Sequence, residues 1–162
     1  MYIIHLAKEP FKFSCSHFTI LAADRAERLH GHNYQVQVRI KVNGTDPKLG
    51  LAFDFNDVKP LIRQLCETLD ERILLPQTSP YLKIQTSVGP RGQVQVDFGP
   101  KHYSFPATDT LLLPLVNITS EELARYLCET LVAQMRHLEW WTELEVSVEE
   151  TRGQSVSYVL AR

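Results

Sequence analysis

The sequence predicts an α+β domain: an antiparallel four-stranded sheet carrying two helices, in the order ββααββ, with a β-hairpin inserted between the helices. Three observations predict it. Residues 33 to 44 alternate apolar with polar side chains, residues 58 to 69 repeat apolar side chains at spacings of three and four, and the chain closes on two further alternating runs. With 162 residues against the ~150 of an average domain, one core and one domain spanning 1–162 are expected.

The first strand is read over Ile3 to Phe18, where Phe11, Phe13, Cys15 and His17 share one parity, with a break near Pro10. The second is the clearest. Tyr34, Val36, Val38, Ile40 and Val42 alternate with Gln35, Gln37, Arg39 and Lys41, the pattern of a half-buried strand. The first helix carries Val58, Leu61, Ile62, Leu65, Cys66 and Leu69 on one stripe, with Asn56 or Asp57 as its cap and Pro60 tolerated in the first turn. The second begins at Thr119-Ser120-Glu121-Glu122, where Thr119 and Glu122 have capping-box spacing, and runs to about His137. Leu144-Val146-Val148 and Val156-Tyr158-Leu160 form the last two strands around a turn at Thr151-Arg152-Gly153-Gln154. Between the helices, at about 76–117, alternation in Tyr81–Ser87 and Gln93–Phe98 around Gly89-Pro90-Arg91-Gly92 predicts the inserted hairpin.

Seventeen basic against nineteen acidic residues leave a net charge of −2, without the basic footprint of a nucleic-acid binder. No apolar stretch approaches the ~18 residues of a membrane span. The first residues show no basic leader followed by an apolar block, so a cytoplasmic location is expected. Cys15, Cys66 and Cys128 form no C-x-x-C pair, and free thiols are expected, with Cys66 and Cys128 packed among leucines.

Chemistry concentrates in His17 and in His30-Gly31-His32. His30 and His32 share the inward parity of Tyr34, and His17 has the inward parity of the preceding strand. Strands ~4.8 Å apart bring such rings within reach of one zinc ion with Zn–N bonds of ~2.0–2.1 Å. Three imidazoles without a fourth protein ligand describe a catalytic Zn2+ with an open position. His5, His102 and His137 have no partner at ligand spacing. Glu150 continues the inward parity of Leu144, Val146 and Val148, where an apolar residue is expected. Such a carboxylate either pairs with Arg152 or awaits a ligand with adjacent N–H donors, such as an amino-pyrimidinone ring. Thr119, Ser120 and Glu121 either cap the second helix or add polar contacts to that ligand.

Phe13-Ser14-Cys15-Ser16-His17, Leu29-His30-Gly31-His32-Asn33-Tyr34, Phe53-Asp54-Phe55, Leu69-Asp70, Thr119-Ser120-Glu121 and Glu149-Glu150-Thr151, in that order, resemble the 6-pyruvoyl-tetrahydropterin synthase / 6-carboxytetrahydropterin synthase family. The resemblance spans nearly the whole chain outside 76–117. It implies the tunnelling fold (T-fold), with protomers joined in trimers and two trimers stacked as a hexamer. It also implies zinc on His17, His30 and His32, a dihydroneopterin triphosphate substrate, and a pterin ring anchored by Glu150 with help from Glu121.

One departure stands out. Family members of the usual kind carry a cysteine a few residues before the His-Gly-His element and an Asp-His pair after the first helix. Here the positions read Asp24-Arg25-Ala26-Glu27-Arg28-Leu29 and Asp70-Glu71. Glu27 in Glu-x-x-His-Gly-His resembles the branch in which glutamate replaces the cysteine, which implies side-chain cleavage to 6-hydroxymethyl-7,8-dihydropterin. The alternatives are triphosphate elimination to a 6-pyruvoyl or 6-carboxy product, or a noncatalytic pterin- or purine-binding oligomer. Glu27 is expected to act as general base if burial or the neighbouring acids Asp70 and Glu71 raise its pKa. Its other reading is a loop charge paired with Arg25 or Arg28. The inserted hairpin is expected to line or roof the pocket.

Overall fold

The computed structural model describes all 162 residues. The predicted first strand is two: β1 (Tyr2–Leu6) and β2 (Lys12–His17), separated around Pro10, both antiparallel to the long β5 (His30–Val42). Between β2 and β5 a small ribbon forms from β3 (Ile20–Ala22) and β4 (Arg25–Ala26). β5 also pairs with β11 (Trp141–Thr151), which pairs with β12 (Gln154–Ala161) through the expected turn. Gly153 supplies the positive φ of 84° that this turn requires.

Helix α1 (Lys59–Leu69) buries Ile62, Leu65, Cys66 and Leu69, the predicted stripe. Its cap differs from expectation. The Asp54 carboxylate accepts from the Asn56 N–H and starts a short 3-10 turn over Phe55–Asp57, and α1 follows from Val58 without a side-chain cap. Asn56 and Asp57 are consumed by that turn, which leaves Val58 as the boundary residue. Helix α2 (Ser120–Gln134) starts as predicted, with the Thr119 hydroxyl accepting from the Glu122 N–H. It ends three residues before His137, at Gln134. α1 packs on β2 and α2 on β11 and β12, so both helices cover one face of the sheet.

The sheet is larger than the four strands expected. β6 (Arg72–Pro76) and β10 (Thr110–Leu113) add a parallel pair beside β2, giving the order β10-β6-β2-β5-β11-β12 with β1 on β5. The insertion is likewise more than a hairpin: β7 (Lys83–Thr86), β8 (Gln93–Phe98) and β9 (Lys101–Pro106) form a three-stranded antiparallel sheet. The third strand was not expected, and only Phe105 of its six residues is buried. Two cores result. The main one lies under the helices; the smaller joins Phe18, Ile20 and Leu75 to Val94, Val96, Phe98 and Phe105 of the inserted sheet. No helix is long and apolar enough to cross a membrane.

Candidate active site

The register of β2 against β5 sets His17 opposite His30 and Cys15 opposite His32. The two-residue period of β5 turns His30, His32 and Tyr34 to one face. As a result the ligand nitrogens of His17, His30 and His32 all lie within 4.8 Å of one another. His30 Nε2 and His32 Nε2 are 2.9 Å apart. Nitrogens sharing one tetrahedral zinc stand roughly 3.3 Å apart, so the rings are already close to a ligating arrangement.

The outer nitrogens confirm the orientation. His17 Nδ1 lies 3.1 Å from the Ile118 carbonyl and His30 Nδ1 lies 2.7 Å from the Arg28 carbonyl. A carbonyl oxygen only accepts, so each Nδ1 carries the proton and each Nε2 presents a lone pair to the common centre. That is the outer-shell arrangement of metal-ligating histidines. Burial is the main reason that the His17 imidazole titrates below its ordinary value, opposed by the Ile118 bond and aided by His30 and His32. The residues present therefore fit a metal ion.

Glu150 reaches the cluster itself. Its Oε1 is 3.3 Å from His32 Nε2 and 3.7 Å from His17 Nε2, and it accepts a 2.9 Å hydrogen bond from the Tyr34 hydroxyl. It is not paired with Arg152, the first of the two readings its parity suggested, and it lines the cleft beside the cluster. The cause is local: the β11–β12 pairing is irregular between Glu149 and Thr151, and such a bulge re-aims the side chain it contains. Tyr34 is fully buried, stacked on Phe13 at 4.9 Å, with its hydroxyl also 3.1 Å from His17 Nε2. Burial and the Glu150 carboxylate push the phenol well above its ordinary range.

Glu27 approaches from the His30 side, its Oε2 3.9 Å from His30 Nε2. The same oxygen accepts from the Thr19 N–H at 3.2 Å, and the Glu27 N–H returns a 2.9 Å bond to the Thr19 carbonyl. Neither Arg25 nor Arg28 pairs with it. Partial burial pushes its carboxyl upward, but the Thr19 bonds and the neighbouring histidines outweigh that, and the net shift is downward. Asp70 and Glu71 do not contribute to that shift. The Asp70 carboxylate accepts from the Ser14 N–H at 2.6 Å, while the Glu71 N–H donates to the Ser14 carbonyl at 2.7 Å, tying the end of α1 to β2. Glu71 adopts a positive φ of 54° in doing so.

A cleft of about 810 Å³ reaches this cluster through His32 and Glu150 and is lined also by Cys15, Glu71, Arg72 and Arg152, whereas His17, His30 and Glu27 do not line it. Of the 76–117 region only Asp109 lines it, so the inserted sheet does not roof the cleft. Thr119, Ser120 and Glu121 do not line it either: Thr119 caps α2, Ser120 is buried and Glu121 is exposed. They adjoin the site only through Ile118, whose carbonyl orients His17.

The model of the family described as 6-pyruvoyl tetrahydropterin synthase matches residues 5–160. The chain belongs to this family. It is accordingly a lyase of the tetrahydropterin-synthase type, with the T-fold. A Methanocaldococcus jannaschii protein provisionally named 6-carboxy-5,6,7,8-tetrahydropterin synthase is 26% identical over 151 residues, 91% of this chain and 88% of that one. The 6-carboxy-5,6,7,8-tetrahydropterin synthase of Rickettsia conorii is 34% identical over 67 residues, 41% of this chain and 48% of its own. Among solved structures, the 6-pyruvoyl tetrahydropterin synthase of Plasmodium vivax superposes with a TM-score of 0.90 at 27% identity, covering 99% of this chain and 98% of its own. Two further structures of that enzyme are mutants, to alanine and to cysteine, of a glutamate described as a catalytic residue.

The structure brings together the three histidines and Glu27 of the sequence reading and adds Tyr34, which that reading treated only as a core position. The signal was present: Tyr34 shares the parity of His30 and His32, and a phenol on a metal-facing strand needs a partner for its hydroxyl. Cys15 is buried, and burial, then Glu150 and Asp70, push its thiol up to about 12.

Proposed function

We propose that the protein is a zinc-dependent lyase that cleaves the side chain of 7,8-dihydroneopterin triphosphate or a close relative, giving 6-hydroxymethyl-7,8-dihydropterin. The observation that carries this reading is the Glu27 carboxylate, 3.9 Å from His30 Nε2, in a chain whose three cysteines are all buried free thiols. His17, His30 and His32 would hold the metal, which when bound supplies Lewis-acid polarisation of the side-chain hydroxyls.

The chain's own residues do the rest. Glu27 takes the proton of the hydroxyl on the second side-chain carbon; its lowered pKa keeps it ionised near neutrality, ready to accept. The bond between the first two side-chain carbons then breaks. Its electron pair passes into the ring system, the second carbon leaves as the aldehyde of a two-carbon triphosphate, and the acid returns the proton to the first carbon. Glu150, held by Tyr34 beside the cluster and facing the cleft, binds the substrate there. Asp70 and Glu71 hold β2, and Glu71 faces the cleft. Thr119, Ser120 and Glu121 contribute to pterin binding only where another protomer closes the site.

The names of the relatives favour a second reading, elimination of the triphosphate to a 6-carboxy or 6-pyruvoyl product. Product identity separates the two. Zinc-loaded protein incubated with dihydroneopterin triphosphate is expected to release 6-hydroxymethyl-7,8-dihydropterin, and Glu27→Gln to lose ~10²–10⁴-fold of that rate. A carboxy- or pyruvoyl-tetrahydropterin product, with Glu27→Gln fully active, supports the second reading instead. Chelation of the metal is expected to abolish turnover, and added Zn2+ to restore it.

A further inference from the structure

The inserted sheet has no place in the cleft, yet it ends beside the proposed base. At the tight β8–β9 turn, where Gly99 takes a φ of +53° and Pro100 follows, Lys101 leaves the sheet toward the β3–β4 ribbon. Its ammonium donates to the Ala26 carbonyl at 3.2 Å and to the Glu27 carbonyl at 3.0 Å. Apolar packing supports the same junction: Phe18, directly after the ligand His17, stacks on Tyr103 of β9 at 5.5 Å. The ribbon itself has only five residues in strands, and a two-stranded ribbon of that size does not hold its own geometry in water. Asn117 holds the β3 strand, bonding both the N–H and the carbonyl of Ile20, the residue paired with Ala26. Lys101 is the corresponding hold on the β4 strand, where it runs into Glu27.

We propose that the inserted sheet is the scaffold that fixes Glu27 against the histidine cluster, and that Lys101 is the positioning residue through which it acts. Two charge-assisted bonds to consecutive carbonyls define the direction of the main chain at Glu27, and with it where the carboxylate lies relative to His30. Lys101 bonds main-chain carbonyls and does not line the cleft, so it acts through the Glu27 backbone. A displacement of about 1 Å at a reacting group costs on the order of 10²-fold in rate, which sets the expected scale. This inference rests on the reading of Glu27 as the base.

The test compares zinc-loaded wild type with Lys101→Met, which keeps the stem and removes the donors, and with Lys101→Arg, which restores them. In Lys101→Met, kcat is expected to fall ~10–100-fold with KM within a few-fold, unchanged zinc stoichiometry and an unchanged thermal transition. Hydrogen exchange at the Glu27 N–H, which bonds the Thr19 carbonyl, is expected to accelerate, and Lys101→Arg to recover both properties. Wild-type exchange at Glu27 and undiminished kcat in Lys101→Met would overturn the proposal. Failure of the functional reading is separately visible: wild type then turns over no dihydropterin, whereas exchange at Glu27 still reports whether Lys101 holds the segment. Should Lys101→Met not fold, Lys101→Gln carries the same comparison.

Discussion

Tyr34 shows how one hydroxyl organises a site. It is fully buried, donates to Glu150 and abuts His17, so its removal leaves a carboxylate beside the histidines without its one protein donor. Tyr34→Phe is expected to weaken metal affinity by ~10–100-fold while leaving the fold intact, read by competition with a metal indicator. A second residue-scale expectation concerns pH. The Arg125 guanidinium, through its hydrogen bonds to Glu122, is the main reason that this carboxyl titrates below its ordinary value, with a smaller contribution from a backbone bond at Val116. A carboxylate whose folded pKa is depressed contributes stability above its unfolded pKa of ~4.3, and loses it as pH falls through the folded value. Glu122→Gln should therefore cost about 0.5–1 kcal/mol at pH 7 and progressively less below pH ~4, as measured by denaturant unfolding at each pH.

Among the elements, α1 and β5 were legible because each has one buried face and a clean period. Ile62, Leu65, Cys66 and Leu69 recur at helical spacing and are buried; Tyr34 to Val42 alternate and are buried at every second position. Leu69 is completely buried where α1 meets β2, so Leu69→Ala is expected to cost about 2–5 kcal/mol, with a corresponding drop in the thermal midpoint. β6 and β10 were not legible. Their residues Ile73-Leu74-Leu75 and Leu111-Leu112-Leu113 form short apolar runs, the mark of parallel strands covered on both faces, and a run of three or four carries no period to read. Gly31 illustrates a tighter constraint: a Cβ there would meet the Cys15 carbonyl of β2 at 3.3 Å. Gly31→Ala is thus expected to shift β2 against β5 and to lower zinc stoichiometry more than thermal stability, checked by metal analysis beside calorimetry.

For the whole molecule, β12 ends the sheet with an unpaired edge, and the face of β5 and β11 away from the helices is polar, crossed by Arg39–Glu145 at 2.6 Å and Lys41–Glu143 at 3.7 Å. An open edge is a template for another strand, and a polar sheet face suits a water-filled centre. With the family resemblance, these features lead us to propose a homo-oligomer, a hexamer formed as a dimer of trimers. Light scattering on purified protein is expected to give six times the 18.6 kDa chain mass, and a monomer would remove that proposal. By itself the sequence determined the order of the principal helices and strands, the inward parity of His17, His30, His32 and Tyr34, and the presence of an acid where a cysteine is usual. Period and parity are local, so they tell which face a side chain takes. Only the tertiary structure decided that Glu150 meets His32 across 118 positions, that Asp70 binds Ser14, and that Lys101 reaches back to Glu27. Those distances depend on register, bulges and the packing of remote segments, which no local pattern encodes.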